Sequence, residues 1–326
     1  MIPEPSEFNR ALRRWFRGHG RDLPWRSNPT PYGVMVSEFM LQQTTVAAVK
    51  PYFDRWMLRF PDVASLASAK ESDVLKLWEG LGYYSRARNL QRAAQAVVAR
   101  HAGQIPSDII LLRELPGVGP YTAAAIAAFA FDQSVSVLDA NINRVMARLF
   151  NYQKNITTSE GRRFLEQAAA SLLPTKGGRL HASALMDLGS LICRAGEPDC
   201  SVCPVKKFCR AEAPATLPVK PPKKEITQQT DWRIFAQKDR NVYLMQSPGP
   251  TWKGLWVLPP GKESLNPLTT LSYAITRYKV SLGVVAGEPE ASWQPFPINH
   301  LPAMPSPHRK ALACCLKIFE ATGTSR

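Results

Sequence analysis

The sequence predicts two domains of different class, an all-α domain over residues 1–212 and an α+β domain over residues 229–326, with a proline-rich linker at 213–228. Three observations carry this reading. Apolar residues recur at spacings of three and four from Phe8 to about Ala211, with little strand-like alternation. The stretch APATLPVKPPKKE (213–225) holds Pro214, Pro218, Pro221 and Pro222, which remove donors and fix φ as in a semi-rigid extended linker. Beyond it come short β-branched or aromatic runs, WRIFAQ, NVYLMQ, LSYAIT and RYKVSLGVV, bounded by Gly, Pro, Asn and Ser, and then a helical pattern, SPHRKALACCLKIFEA.

The helical elements follow in order. WRSNPTPYGVMVSEFMLQQT carries an apolar helix interrupted by Glu38, an acid that burial would push toward its neutral form. DVLKLWEGLGYYSRARNLQRAAQAVV (73–98) is amphipathic throughout. Ser107 stands as a cap before DIILLREL, and LRELPGVGPYTAAAIAAFAF reads as helix, tight turn, helix. In that turn Gly117 and Gly119 supply unusual backbone angles and Pro120 suits a first helical turn, leaving free amides that form an anion site. VLDANINRV places Asp139 in an apolar stretch, followed by Asn141, as a helix N-cap would be. Thr157 with Glu160 makes a capping box before GRRFLEQAAASLL.

Composition bounds the function. Lys and Arg number 41 against 26 Asp and Glu, a formal charge of +15 with a pI of about 9.7. Residues 1–212 carry 27 basic and 19 acidic residues and residues 213–326 carry 14 and 7, so both parts are basic, and a polyanion such as DNA or RNA is the expected partner. The N-terminus has early acids and no apolar core, unlike a signal peptide, and the most apolar helical run, TAAAIAAFAF, is too short to span a bilayer. A soluble, monomeric, cytoplasmic protein is expected, nucleoid-associated if its partner is DNA.

Four of the six cysteines, Cys193, Cys200, Cys203 and Cys209, fall within LICRAGEPDCSVCPVKKFCR. Disulfides would suit a small secreted protein, whereas four thiolates suit either zinc or a [4Fe–4S] cluster, and spacing alone leaves these two open. Cys314 and Cys315 lie in a helical pattern as core or surface thiols.

The neighbouring residues resemble a known family. MDLGSLICRAGEPDCSVCPVKKFC is similar to the cluster motif of the endonuclease III and adenine DNA glycosylase superfamily, with Cys-x6-Cys-x2-Cys-x5-Cys matched at all four positions. The resemblance implies a structural [4Fe–4S] cluster shaping a basic loop, with Lys206, Lys207 and Arg210 toward DNA phosphates. LPGVGPYTA resembles the superfamily's helix-hairpin-helix, which grips the DNA backbone without reading sequence. WRSNPTPYGVMVSEFMLQQT and VLDANINRV resemble the catalytic segments of adenine DNA glycosylases. They imply Glu38 as the acid that protonates a departing purine at N7, Asp139 as the carboxylate that stabilises the oxocarbenium-like sugar, and Asn141 as a positioning group. Tyr121 stands where the lyase branch carries a lysine nucleophile, and a phenol forms no Schiff base, so base removal without strong strand cleavage is expected.

GLGYYSRARNL follows the same family and implies Tyr83 as a wedge in the base stack, Arg86 and Arg88 toward phosphates, Gln42 and Gln43 filling the gap, and Arg26 in the base pocket. YLMQSPGPTWKGLWVLPPG and LPAMPSPHRKAL resemble the MutT-like (Nudix-fold) C-terminal domain of adenine glycosylases. The segment KESLNPLTTLSY lacks the glutamate-rich box of nucleotide hydrolases, which leaves reading or bracing DNA.

Several positions depart from the family. The loop that senses 8-oxoguanine aligns with Ile275, Thr276 and Arg277, without its histidine, and an arginine cannot accept a hydrogen bond as neutral histidine can. Thr45 replaces a glutamine, Ala140 a glycine, and Ser183 the Gln or Glu that helps to read adenine. The leading expectation is a monofunctional glycosylase removing adenine opposite 8-oxoguanine or guanine. A mismatch glycosylase for thymine or uracil opposite guanine, and a non-catalytic lesion-binding protein, stay open beside it.

Overall fold

The computed structural model describes residues 4–222, 225–249 and 251–321. Its helices are α1 (Pro5–His19), α2 (Pro24–Ser27), α3 (Pro31–Leu41), α4 (Val46–Arg59), α5 (Val63–Ala67), α6 (Glu71–Trp78), α7 (Ser85–His101), α8 (Ile109–Arg113), α9 (Pro120–Phe131), α10 (Ala140–Leu149), α11 (Ser159–Ala170), α12 (Gly178–Asp187) and α13 (Ser306–Ala321). The strands are β1 (Thr227–Phe235), β2 (Gln237–Lys238), β3 (Asn241–Gln246), β4 (Trp256–Val257), β5 (Thr269–Ile275), β6 (Tyr278–Ala286) and β7 (Gln294–Pro297). The chain divides into two compact units, residues up to Ser68 with Asn89–Pro222, and Ala69–Arg88 with Lys223–Arg326.

In the first unit α3 and α9 pack on each other, and α12 packs on both α1 and α9. Both central helices are apolar on all sides: Tyr32–Met40 of α3 are buried without a break, as are Ala125–Phe129 of α9. A helix hydrophobic all round belongs in a core. Caps set its helix starts, one residue from where the sequence pattern places two of them. Asp108, not Ser107, accepts from the Ile110 and Leu111 amides at α8, and Thr158, not Thr157, accepts from Gly161 N at α11. Thr157 instead turns back to Asn155 Oδ1. The linker region begins inside this unit: Leu217 is buried, and Val219 O accepts from Ile156 N.

The periodic run from Asp73 to Val98 is broken between α6 and α7. Gly80 (φ 110°), Gly82 (φ 70°) and Tyr83 (φ 47°) take left-handed backbone that a continuous right-handed helix cannot pass through. The segment 69–88 belongs to the second unit. There Tyr84 OH donates to Met304 O at 2.8 Å and Arg309 pairs with Glu79 through Nε at 2.6 Å and Nη2 at 3.1 Å.

The second unit holds two sheets. β6 pairs parallel with β1 and antiparallel with β5, and β3 pairs antiparallel with β2, β4 and β7. Phe235, Leu244, Leu258, Leu282 and Val284 from the strands and their flanks meet Leu312 and Cys315 of α13 in one apolar core. Cys315 is a core thiol and Cys314 is half-buried. Among the described residues no helix is long and apolar enough to cross a membrane.

Candidate active site

Glu38 enters the core because its helix is otherwise apolar. Thr30 caps α3 by accepting from Gly33 N, Pro31 opens it, and two turns later Glu38 is 4% exposed. Tyr121, in the first turn of α9, hydrogen-bonds the Glu38 carboxyl, while Oε2 is buried with no hydrogen-bond partner among the described residues. Burial pushes the Glu38 pKa up to about 7, against the pull of the Tyr121 bond and Arg26, and the charge of Asp139 adds to the push. A carboxyl so placed is substantially protonated at neutral pH and holds a proton where water does not compete for it. Tyr121 is itself pushed well above an ordinary phenol, first by burial and then by the charges of Glu38 and Asp139.

Asp139 is the N-cap of α10. Its Oδ1 accepts from Ile142 N at 2.6 Å and its Oδ2 from Asn141 Nδ2 at 3.0 Å. Burial raises its carboxyl above the usual value, opposed by the Ile142 and Asn141 bonds and by Arg144. Arg144 extends the chain of contacts, donating to Asn141 Oδ1 at 2.9 Å and to the carbonyls of Gly189 and Cys193 at 2.7 and 2.8 Å. Gly189 is required here: a Cβ would stand 2.8 Å from Asn141 Cβ.

Glu38 lines a cavity of about 610 Å³ within the first unit, with Trp25, Arg26, Val34, Ser183 and Met186 among its walls. Arg26 is held by Asp187, which is fully buried and accepts Nη1 at 2.9 Å and Nη2 at 3.0 Å. Arg21 binds the same carboxylate through its backbone N, Nε and Nη2. Burial alone would raise Asp187, but the bonds from Arg26 and Arg21 hold it below the ordinary range. Asp187 and Arg21 were not among the residues singled out from the sequence, and neither were Arg144 and Arg148.

The hairpin is present as α8, the turn at 114–119, and α9. Gly117 has φ 77°, and a Cβ there would meet Asn89 Cβ at 2.6 Å, so both conformation and space require glycine. Gly119 differs from expectation: at φ −84° its backbone suits any residue, and what it contributes is open space before a helix start with no side-chain cap. Thr45 caps α4, Gln42 Nε2 lies 3.4 Å from Thr122 Oγ1, and Gln43 is exposed with φ 57°.

The cysteine loop folds around Arg148, 1% exposed on α10. Its guanidinium donates to Leu217 O, Arg194 O and Gly196 O and lies 3.4 Å from Cys193 Sγ. Burial pushes the Cys203 thiol up to about 11, and the charges of Cys193, Cys209 and Cys200 act on it in the same direction. Among the described residues no group of three or more His, Cys, Asp or Glu side chains is gathered as a metal-holding set. Lys206, Lys207 and Arg210 are exposed, with Lys207 Nζ 2.6 Å from Glu7.

In the second unit Tyr83 is 47% exposed on its left-handed backbone. Arg86 corrects the expectation of a phosphate contact: it is buried under the Trp78 and Tyr83 rings and donates to the Leu81 and Gly82 carbonyls, so it builds the turn that presents Tyr83. Arg88 is likewise engaged, with Glu71 Oε1 at 2.8 Å and Lys253 O at 2.7 Å. Thr276 and Arg277 form the exposed two-residue tip between β5 and β6, Thr276 at φ 50° and Arg277 stacked over Tyr278. Ile275 ends β5, half-buried, and Ala140 is the first residue of α10.

Residues 36–170 match the family described as HhH-GPD superfamily base excision DNA repair protein. An adenine DNA glycosylase of Buchnera aphidicola subsp. Acyrthosiphon pisum is 34% identical over 261 residues, covering 78% of this chain and 75% of that protein. The Rattus norvegicus adenine DNA glycosylase is 42% identical over 220 residues, covering 64% of this chain and 42% of the rat protein. Among solved structures, a thermostable thymine-DNA glycosylase matches at TM-score 0.58 and 28% identity over 64% of this chain and 95% of its own. Endonuclease III in a non-covalent DNA complex shares the fold at TM-score 0.53 and 21% identity, over 62% and 92%. With its helical core, its hairpin and a relative 34% identical and matched over three-quarters of its length, the chain belongs to the adenine DNA glycosylase family.

Proposed function

We propose that this protein hydrolyses the N-glycosidic bond of a mispaired adenine in double-stranded DNA, opposite 8-oxoguanine or guanine, and leaves the strand intact. The observation that carries the reading is Glu38, a buried acid held protonated up to about pH 7 with an unpartnered oxygen, lining a cavity beside an arginine and under the influence of Asp139. The protonated Glu38 gives its proton to N7 of the base, so that the electron pair of the breaking C1′–N9 bond is received by a neutral leaving group. Asp139, ionised and fixed by Ile142 N and Asn141, stabilises the positive charge that develops on the sugar until water adds at C1′. Burial raises both carboxyls, and what separates them is their partners: Glu38 keeps one oxygen without a hydrogen bond, whereas Asp139 has the bonds from Ile142 N and Asn141 and the nearby Arg144, which favour its anion.

Gly117, Gly119 and the uncapped start of α9 grip the phosphate backbone, Tyr83 wedges into the stack, Gln42 and Gln43 support the gap, and Ser183 and Arg26 shape the base pocket. Thr276 and Arg277 contact the opposite base or its phosphate. The protein works as a monomer on nucleoid DNA in the cytoplasm.

Cys193, Cys200, Cys203 and Cys209 hold a [4Fe–4S] cluster in this reading. The donor set fits, being four thiols on one loop that feel each other's charge, with the Arg148 guanidinium beside Cys193 to favour an anionic group. When bound, the cluster supplies a rigid cross-link of the loop. The loop in turn carries the carbonyl of Cys193 that orients Arg144. The purified protein is expected to be brown, with broad visible absorption and four irons per chain; a colourless protein containing zinc would replace the cluster with a zinc site.

The activity is tested by single-turnover base release from duplexes carrying adenine opposite 8-oxoguanine, guanine or cytosine, and thymine or uracil opposite guanine. Adenine release opposite 8-oxoguanine or guanine is expected; release of thymine or uracil alone transfers the protein to the second reading. Borohydride is expected to trap no covalent adduct, because Tyr121 offers no amine, and an adduct in high yield would show a lyase.

A further inference from the structure

The cavity that contains Glu38 continues well beyond it. Tyr121, bonded to Glu38, lies in the first turn of α9, whereas Phe129, eight residues along the same helix, also lines the cavity. At about 1.5 Å of rise per residue these positions are about 12 Å apart along the axis. On α3 the lining runs from Val34 to Leu41 and on α12 from Arg179 to Met186, each seven residues or about 10 Å. Both helices pack on α9, which contributes Phe129 to the wall, so the void is a trough along α3 and α12 that reaches the C-terminal end of α9. Its volume of about 610 Å³, part of it open to solvent, lies within the roughly 300–1,000 Å³ range of ligand clefts and exceeds what a bare purine occupies.

The two ends differ in chemistry. At one end stands the acid, with Arg26 fixed on Asp187. At the other, the α9 end, the walls are Phe129 and Leu180, and the Arg179 guanidinium is turned away onto the Phe129 and Ala130 carbonyls at 2.6 and 2.9 Å. Asp132, the residue that ends α9, lines this end too, its Oδ1 accepting from Arg179 N at 2.8 Å, and beside it Phe129 and Leu180 offer apolar surface. Across the trough, Ser183 puts only a short hydroxyl side chain between α12 and the base.

On adenine, N7 and the exocyclic N6 share one edge. A base presented with N7 to Glu38 therefore directs a group attached to N6 into the space next to the acid. We propose that the trough accepts adenines enlarged by an apolar group on N6, the lesions formed when an alkyl or arylmethyl electrophile is captured by the exocyclic amine. The proposal rests on Glu38 as the N7 proton donor. The chemistry is unchanged: N7 gains the Glu38 proton, C1′–N9 breaks with its electron pair leaving on the base, water adds to C1′ and gives up a proton that restores the Glu38 acid, and the N6 group departs with the purine.

The test is single-turnover release of adenine and of N6-benzyladenine from otherwise identical duplexes, opposite guanine, by the full-length protein. N6-Benzyladenine is expected to leave within about tenfold of adenine, the scale on which apolar pockets discriminate. The Leu180→Trp variant, which fills the α9 end, is expected to slow N6-benzyladenine about tenfold more than adenine, and its residual adenine release reports that it is folded. Adenine release with N6-benzyladenine slowed a thousandfold overturns the enlarged pocket and leaves the adenine reading intact. Equal slowing of both bases by Leu180→Trp overturns the assignment of the α9 end. Release of neither base by the wild-type protein, with the duplex bound, removes the adenine reading and this proposal with it. If Leu180→Trp does not fold, the wild-type ratio still decides.

Discussion

Glu38→Gln is expected to lower single-turnover adenine release by about 10²–10⁴-fold, the usual contribution of a positioned general acid, with DNA affinity nearly unchanged. The amide matches the carboxyl in shape and can still bond Tyr121, so the cavity stays intact and only the transferable proton is lost. The wild-type rate constant is expected to fall as pH rises through about 7, where Glu38 ionises, and the variant's residual rate to be flat there. A second readout has the opposite sign. Glu38 binds its proton more tightly in the folded state, at about 7, than in the unfolded chain, at its ordinary value of 4.5. The folded state holds the extra proton between these values, so stability falls as pH rises from about 4.5 to 7 and stays reduced above. Removing the carboxyl is therefore expected to stabilise the protein at pH 8, by roughly 3 kcal/mol on that displacement, and to change little at pH 4. Loss of activity with a raised Tm at pH 8 separates a functional acid from a structural one. A variant equally active, or destabilised at every pH, would remove Glu38 from the mechanism.

Glu38 was legible because a single acid in an otherwise apolar helical run conflicts with local pattern, and such conflicts concentrate where function overrides packing. Asp139 was legible twice over, as a cap and as an acid, and the two readings prove compatible: the same oxygen that accepts from Ile142 N fixes the carboxylate. The Asp187 clamp was not legible. Its partners Arg21 and Arg26 lie 166 and 161 residues away, and nothing local marks an acid near a helix end as buried. Arg148 escaped for a similar reason, since an arginine inside an amphipathic helix ordinarily faces water, and only the return of the cysteine loop and Leu217 supplies the carbonyls that bury it. The break between α6 and α7 was hidden by apolar periodicity that continues across it, because Leu81 and Tyr84 in the turn are buried just as helical residues would be. Glycine at 80 and 82 was the available signal, and Tyr83 in left-handed backbone adds strain that periodicity does not reveal.

Asp139 offers a way to divide capping from chemistry. Asp139→Asn keeps an oxygen for Ile142 N, and asparagine is among the best N-caps, so α10 is expected to keep its start and the protein its stability. What it loses is the negative charge facing the developing sugar cation, and base release is expected to fall by about 10²–10³-fold, the scale of removing one preorganised electrostatic group. Asp139→Ala loses both and is expected to cost about 1 kcal/mol of stability in addition. The contrast also reaches Asn141, whose Nδ2 is held by Asp139 Oδ2 and whose Oδ1 accepts from Arg144. In the asparagine variant that amide must compete with an amide at 139, loosening the line of contacts through Arg144 to the Cys193 carbonyl. Full activity in Asp139→Asn would leave the residue as a helix cap only and would return the charge stabilisation to a group not yet assigned. Inactivity in both variants, with only the alanine form destabilised, makes the carboxylate chemical and the cap its means of being held in place.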